Sequence, residues 1–165
     1  MIRIFGAASH GVVNPTIRWA THDMDGVGHS GFLLDSGEVL DSHIVKGNGV
    51  AIRPLSYLDA YRIVVCELKA DPVTVARVEI EALRLIGTPY DWRWLAGFVL
   101  PPLVRGWNDE THLGCSEFVE TVCINADFPL HDYSRVHPQH MTPRDIMLSD
   151  RLTTVYDGPP EGYRP

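Results

Sequence analysis

The feature that most constrains this chain is a hairpin signal near its start. Residues 29–34 (His-Ser-Gly-Phe-Leu-Leu) and 38–45 (Glu-Val-Leu-Asp-Ser-His-Ile-Val) are strand-like runs joined by Asp35-Ser36-Gly37. A three-residue loop ending in glycine predicts an antiparallel pair of defined register. Counting outward from Leu34 opposite Glu38 puts His29 opposite His43, with Asp41 diagonal to His29 on the same face. A loop one residue longer or shorter would turn these side chains to the other face. An imidazole beside a carboxylate on a strand has two readings: a solvated polar face, the commoner one for a hairpin alone, or a base held for catalysis.

The rest of the pattern predicts an α+β domain with a mainly antiparallel sheet. Asn14-Pro15 reads as a helix start leading through Trp19, and Tyr61 to Leu68, rich in β-branched residues, as a buried strand. Asp71-Pro72 opens the clearest helix, in which Val73, Ala76, Ile80 and Leu83 share one face opposite Thr74, Arg77, Glu81 and Arg84. Gly87-Thr88-Pro89 ends it. A second amphipathic helix begins near Cys115 and buries Phe118, Val119, Val122 and Ala126. Thr142-Pro143 starts a short third helix through Ile146, Met147 and Leu148, and Leu152 to Tyr156 is the last strand. One domain over residues 1–156 is expected, with a loosely held tail at 157–165.

Composition narrows the function classes. With 14 Lys+Arg against 21 Asp+Glu in 165 residues, the formal charge of −7 argues against a phosphate-tracking nucleic-acid binder or a polybasic membrane-surface protein. The opening MIRIFGAASHGVVNP lacks the apolar core of a signal peptide, and no stretch approaches the ~20 apolar residues of a membrane span. A soluble, cytoplasmic protein is the expectation, with export or packaging with a partner left open. Three cysteines, Cys66, Cys115 and Cys123, without a C-x-x-C, fit neither a disulfide framework nor a thiolate zinc site.

Of the three, Cys115 has the setting of a nucleophile. Gly114 precedes it and the helical periodicity begins at it, so it sits where unpaired N–H groups and the helix dipole favour a thiolate and can hold an oxyanion. The plain alternative is a small buried hydrophobe, the reading given to Cys66 and Cys123. Glu117, in the same turn, would oppose the thiolate slightly. Other candidates are weaker. His131, His137 and His140 near Asp132 lie in a Pro-containing loop and read as surface histidines rather than metal ligands. Asp23 and Asp25 lack the terminal glutamate of a calcium loop. Trp92, Trp94, Phe98 and Trp107 could form a binding wall, although aromatics at this density are more often core.

Read together, these segments resemble the circularly permuted relatives of NlpC-type cell-wall peptidases, the YiiX-like branch of the papain-like cysteine hydrolases. Residues 17–21 (Ile-Arg-Trp-Ala-Thr) and 28–34 look like that group's helix and histidine strand. Residues 38–42, then Gly49-Val50, are similar to the strand with the second polar residue. Residues 85–92 (Leu-Ile-Gly-Thr-Pro-Tyr-Asp-Trp) resemble the segment before the nucleophile, 114–119 (Gly-Cys-Ser-Glu-Phe-Val) its helix, and 141–146 a late turn. The similarity runs in order over about residues 15–156, and His29 precedes Cys115 as a permuted chain requires. The His29–Asp41 separation also resembles that of acyltransferases of the lecithin:retinol type, in which the second residue is commonly His.

The resemblance implies a permuted papain-like fold, an antiparallel sheet or half-barrel packed against the nucleophile helix. It implies Cys115 as nucleophile, His29 as base and Asp41 as orienting residue, with His43 in reserve for that role. Tyr90, His43 and Trp92 are the substrate-binding candidates. The reaction expected is thiol hydrolysis of an amide in a peptide or peptidoglycan-type substrate, with no metal or organic cofactor. The same machinery would serve a thioesterase or acyltransferase on lipid substrates. The alternative from another class is a non-catalytic module that binds peptide or lipid, or a structural part.

Overall fold

The computed structural model describes residues 1–9, 26–44, 49–92, 111–132 and 141–164. Six strands, β1 (Arg3–Ser9), β2 (His29–Leu33), β3 (Glu38–His43), β4 (Gly49–Pro54), β5 (Ala60–Leu68) and β6 (Leu152–Gly158), form one sheet in the order β4-β3-β2-β1-β5-β6. Every neighbouring pair is antiparallel. Among the described residues the α-helices are α1 (Pro72–Arg84), α2 (Cys115–Asn125) and α3 (Pro143–Met147), with 3-10 turns at Leu55–Leu58 and Pro160–Gly162. The class is α+β with an antiparallel sheet, as the sequence implies.

The strand that sequence reasoning missed is β1, at the heart of the sheet. Arg-Ile-Phe-Gly-Ala-Ala-Ser has small residues of modest strand propensity, so it carries little local signal. Its glycine answers to a close neighbour: a Cβ at Gly6 would lie 2.8 Å from Sδ of Met147, the last residue of α3. Alternation along the sheet then makes two cores. Ile4, Phe32, Leu40 and Cys66 face the helices and pack with Val78, Phe118, Val122 and Cys123. Phe5, Leu33, Val39, Ile63 and Val65 face the other way, against Leu58 and Tyr163 of the 3-10 turns.

Two expectations are corrected. The apolar face of α1 formed by Val73, Ala76, Ile80 and Leu83 is turned to solvent, Val73 being 67% and Ile80 53% exposed, while Thr74, Val75, Val78 and Ala82 are buried. Both sets satisfy helical spacing, and packing decides between them, since Val75, Val78 and Ala82 join the core that holds Val122 and Cys123 of α2. Asp71 caps the helix, accepting the N–H groups of Val73 and Thr74 at 2.9 and 3.1 Å and the Thr74 hydroxyl at 2.7 Å. The chain beyond Tyr156 is also not loose: β6 runs to Gly158, and buried Tyr163 meets Tyr156 edge-on and accepts from Arg3 at 3.1 Å. The expected helix after Asn14 lies outside the described residues.

In α2, by contrast, Phe118, Val119, Val122 and Ala126 are buried as the sequence implies. Phe118 packs edge-on against Phe32 of β2, the ring centroids 5.5 Å apart. Phe118→Ala should therefore cost about 3–5 kcal/mol in chemical denaturation, as large-to-small changes in packed cores do. Ile80→Ala should change stability by no more than about 0.5 kcal/mol. Equal costs would contradict the observed orientation of α1.

Candidate active site

The hairpin turn sets the site. Leu34 N donates to Glu38 O at 2.9 Å, Gly37 takes the positive φ of 81° that the turn requires, and Phe32 and Leu33 pair with Leu40 and Val39. This is the register counted from the loop, and it brings His29 Nε2 to 2.5 Å from Asp41 Oδ2. The approach depends on Gly31, which pairs with Phe5 of β1. A Cβ at Gly31 would lie 2.7 Å from Asp41 Cβ and 2.8 Å from the Phe5 ring, so any side chain there would push the carboxylate away.

Asp41 is fully buried, and every observed contact to its carboxylate comes from a donor. Arg53, buried on β4, donates to Asp41 Oδ1 at 2.5 Å. The same guanidinium reaches the carbonyls of Asp41, Ala51 and Gly49 at 3.0–3.2 Å. The Tyr57 hydroxyl, from the turn at Leu55–Leu58, donates to Asp41 Oδ2, and its ring lies 5.3 Å from the Arg53 guanidinium. His43 stands edge-on to His29 and Tyr57, at centroid distances of 5.2 and 5.5 Å. Burial pushes the Asp41 carboxyl up, but the hydrogen bonds from His29 and Tyr57 and the charges of His29 and Arg53 hold it below the usual carboxylate range. Burial and the Asp41 charge raise Tyr57, which stays a phenol.

Cys115 is the first residue of α2, following Gly114 in an extended conformation. Its turn is stitched to the sheet from several sides. Ser42, next to Asp41 on β3, donates to Leu113 O at 2.6 Å. Leu113 N donates to Pro89 O at 3.0 Å, and the 87–90 segment is tied to β4 by Val50 N to Thr88 O at 2.8 Å and Gly87 N to Val50 O at 2.9 Å. Ser116 donates to Met141 O at 2.6 Å, anchoring the helix start on the chain before α3. The thiol is buried, and Cys115 is among the groups that raise the His29 pKa. Since Asp41 takes Nε2, Nδ1 is the ring nitrogen left for Cys115. Burial lowers the His29 pKa, but the hydrogen bonds to Asp41 and Cys115 and the charges of both outweigh it and push the imidazole up to about 10.

Glu117 is buried in the first turn of α2. Its carboxylate accepts the Gly114 N–H at 3.2 Å, and burial, assisted by the charge of Asp91 against that hydrogen bond, pushes it up to about 7. Around neutral pH it is half-neutral and opposes a thiolate less than a full charge would. Tyr90 is buried, its phenol pushed well up by burial and by the charges of Cys115, Asp91, Glu117 and Asp41. Trp92 is 55% exposed.

The structure thus brings Cys115, His29, Asp41 and His43 together, with Tyr90 beside them. Sequence reasoning missed Arg53, Tyr57, Ser42 and the role of Gly31. His131 lies away from this cluster, its Nδ1 3.6 Å from buried Glu120. His137, His140, Asp23, Asp25, Trp94, Phe98 and Trp107 lie outside the described residues.

No protein-family model matches the chain, and no curated protein matches it in sequence. Among solved structures it is similar to the metalloprotein YiiX of Escherichia coli O157:H7, of the DUF1105 group. The TM-score is 0.65 at 18% identity, over 93% of this chain and 94% of that one. The fold is therefore YiiX-like. A metal does not fit the described residues of this chain: no group of three His, Cys, Asp or Glu is placed to hold one, and Asp41 faces the Arg53 guanidinium. Among the described residues no helix is long and apolar enough to cross a membrane.

Two tests follow from the electrostatics. Glu117 has a folded pKa of about 7 against 4.5, so the stability its protonation contributes is full below about 4.5 and is lost as pH rises through about 7. Glu117→Gln keeps an acceptor for Gly114 N–H but cannot ionise. It should be more stable than the wild type at pH 8, by up to about 3 kcal/mol, and no more stable at pH 4. A constant difference across this range in denaturant melts would contradict the burial of Glu117. Gly31→Ala should cost about 1–3 kcal/mol through overpacking and separate Asp41 from His29, read as a fall in the His29 pKa by NMR titration.

Proposed function

We propose that this protein is a cysteine hydrolase that cleaves an amide bond of a peptide or peptidoglycan-type substrate through Cys115, His29 and Asp41. The observation that carries this reading is the His29–Asp41 pair of β2 and β3, its carboxylate locked by Arg53 and Tyr57, with buried Cys115 at the start of α2 among the groups that raise His29. A buried polar patch needs satisfied hydrogen bonds; it does not need a thiol at the end of a helix aimed at a histidine.

In this mechanism His29 holds the thiol proton and Cys115 Sγ attacks the carbonyl carbon. The α2 N-terminus, with the Cys115 N–H, faces the developing oxyanion. His29 then protonates the leaving nitrogen as the carbon–nitrogen bond breaks. A protonated His29 is the acid that an amide substrate needs, because an amine must leave protonated. Acylation removes the Cys115 charge and hydrogen bond, two of the causes that raise His29. His29 then releases its proton more readily, and as a neutral base draws one from the water that resolves the acyl-enzyme.

Iodoacetamide should label Cys115 in preference to buried Cys66 and Cys123, already at pH 6.5, and His29→Ala should slow that labelling at least about tenfold. Activity on a panel of amide, thioester and ester substrates should disappear in Cys115→Ala and fall by about 10²–10⁴ in His29→Ala. Labelling indifferent to His29, with no substrate turned over, would favour a binding module instead.

A further inference from the structure

Among the groups around the cluster, Arg53 has no part in the bond-making steps, yet it is the most heavily bonded side chain there. The charged and titratable groups facing His29 are Asp41 and His43 of β3, Tyr57 of the 3-10 turn and Cys115 of α2. Tyr90 and Glu117 lie next to Cys115, and Arg53 of β4 lies behind Asp41. Arg53 meets Asp41 Oδ1 while His29 meets Oδ2, so the carboxylate bridges the two cations in the resting state.

That bridge is balanced differently at the two stages of a thiol hydrolysis. With Cys115 as thiolate and His29 as imidazolium, the histidine charge itself compensates buried Asp41. Once His29 has given its proton to the leaving group, Asp41 faces a neutral imidazole. An uncompensated carboxylate with no solvent exposure is costly, and it would hold or recapture a proton on His29. Arg53 is fixed by three backbone carbonyls as well as by Asp41, so it stays in place throughout.

Resting on the hydrolase reading, we propose that Arg53 is a positioning residue for the second half of the reaction: it keeps Asp41 ionised while His29 is neutral, and so supports deacylation rather than acylation. In deacylation a water oxygen forms a bond to the acyl carbon and gives its proton to His29 Nδ1. The carbon–sulfur bond breaks with its electron pair on Cys115 Sγ, and a carboxylic acid leaves. Without the guanidinium the Asp41 charge is unshielded, neutral His29 is scarcer near pH 7, and the step slows.

The test uses the activated ester p-nitrophenyl acetate, whose nitrophenolate release reports acylation as a burst and deacylation as the steady rate. Intact-mass analysis identifies the acetyl group on Cys115. Arg53→Met should keep the burst rate within about threefold, lower the steady rate by about tenfold, and move the pH limb of the steady rate up by about one unit. Arg53→Lys should restore most of the steady rate, and denaturant melts would establish that both variants are folded. Equal loss of both phases with an unmoved pH limb, or no change in either, would overturn the role of Arg53. A wild type with no burst and no acetylated Cys115 would instead overturn the hydrolase reading beneath it.

Discussion

The structure around the cluster is organised by one buried carboxylate. Asp41 has no solvent exposure, and an ionised group in that position is tolerated only when its oxygens are met by donors and its charge by a cation. Arg53, Tyr57 and His29 meet those requirements, each from a different element. The absence of a side chain at Gly31 lets the carboxylate lie across the neighbouring strand. Ser42, one residue on, ties the same strand to the turn that presents Cys115. The histidine and the thiol are thus both referenced to β3, which fixes their separation more firmly than either loop could.

How much of this could be read from the residues divides along physical lines. The hairpin was legible because a three-residue loop ending in Gly37 fixes register, and register fixes which side chains share a face. The start of α2 was legible because Gly114 and the spacing of Phe118, Val119 and Val122 agree. The inward face of α1 was not, since Val73-Ala76-Ile80-Leu83 and Val75-Val78-Ala82 both have helical spacing and only their packing partners separate them. β1 was missed because Gly6, Ala7 and Ala8 in its middle have little strand propensity, and the glycine answers to Met147. Arg53 and Tyr57 were missed because their meaning depends on the β3–β4 register, which sets Asp41 against Ala51.

The likeness to YiiX of Escherichia coli O157:H7 covers nearly the whole of both chains and concerns the fold. It leaves the chemistry to the residues. In this chain they place a thiol, an imidazole and a carboxylate in series, with an arginine and a tyrosine closing the far end. The proposed thiol site differs from a plain buried polar cluster in how its imidazole titrates. An imidazole held to about pH 10 by both neighbours is its clearest mark.

That mark can be measured directly by NMR titration of the His29 ring nitrogens in the wild type and in Cys115→Ala. The account requires His29 to remain protonated to about pH 10 in the wild type and to titrate at least about one unit lower without the thiol. A His29 that titrates near 6.5 in both proteins would contradict it.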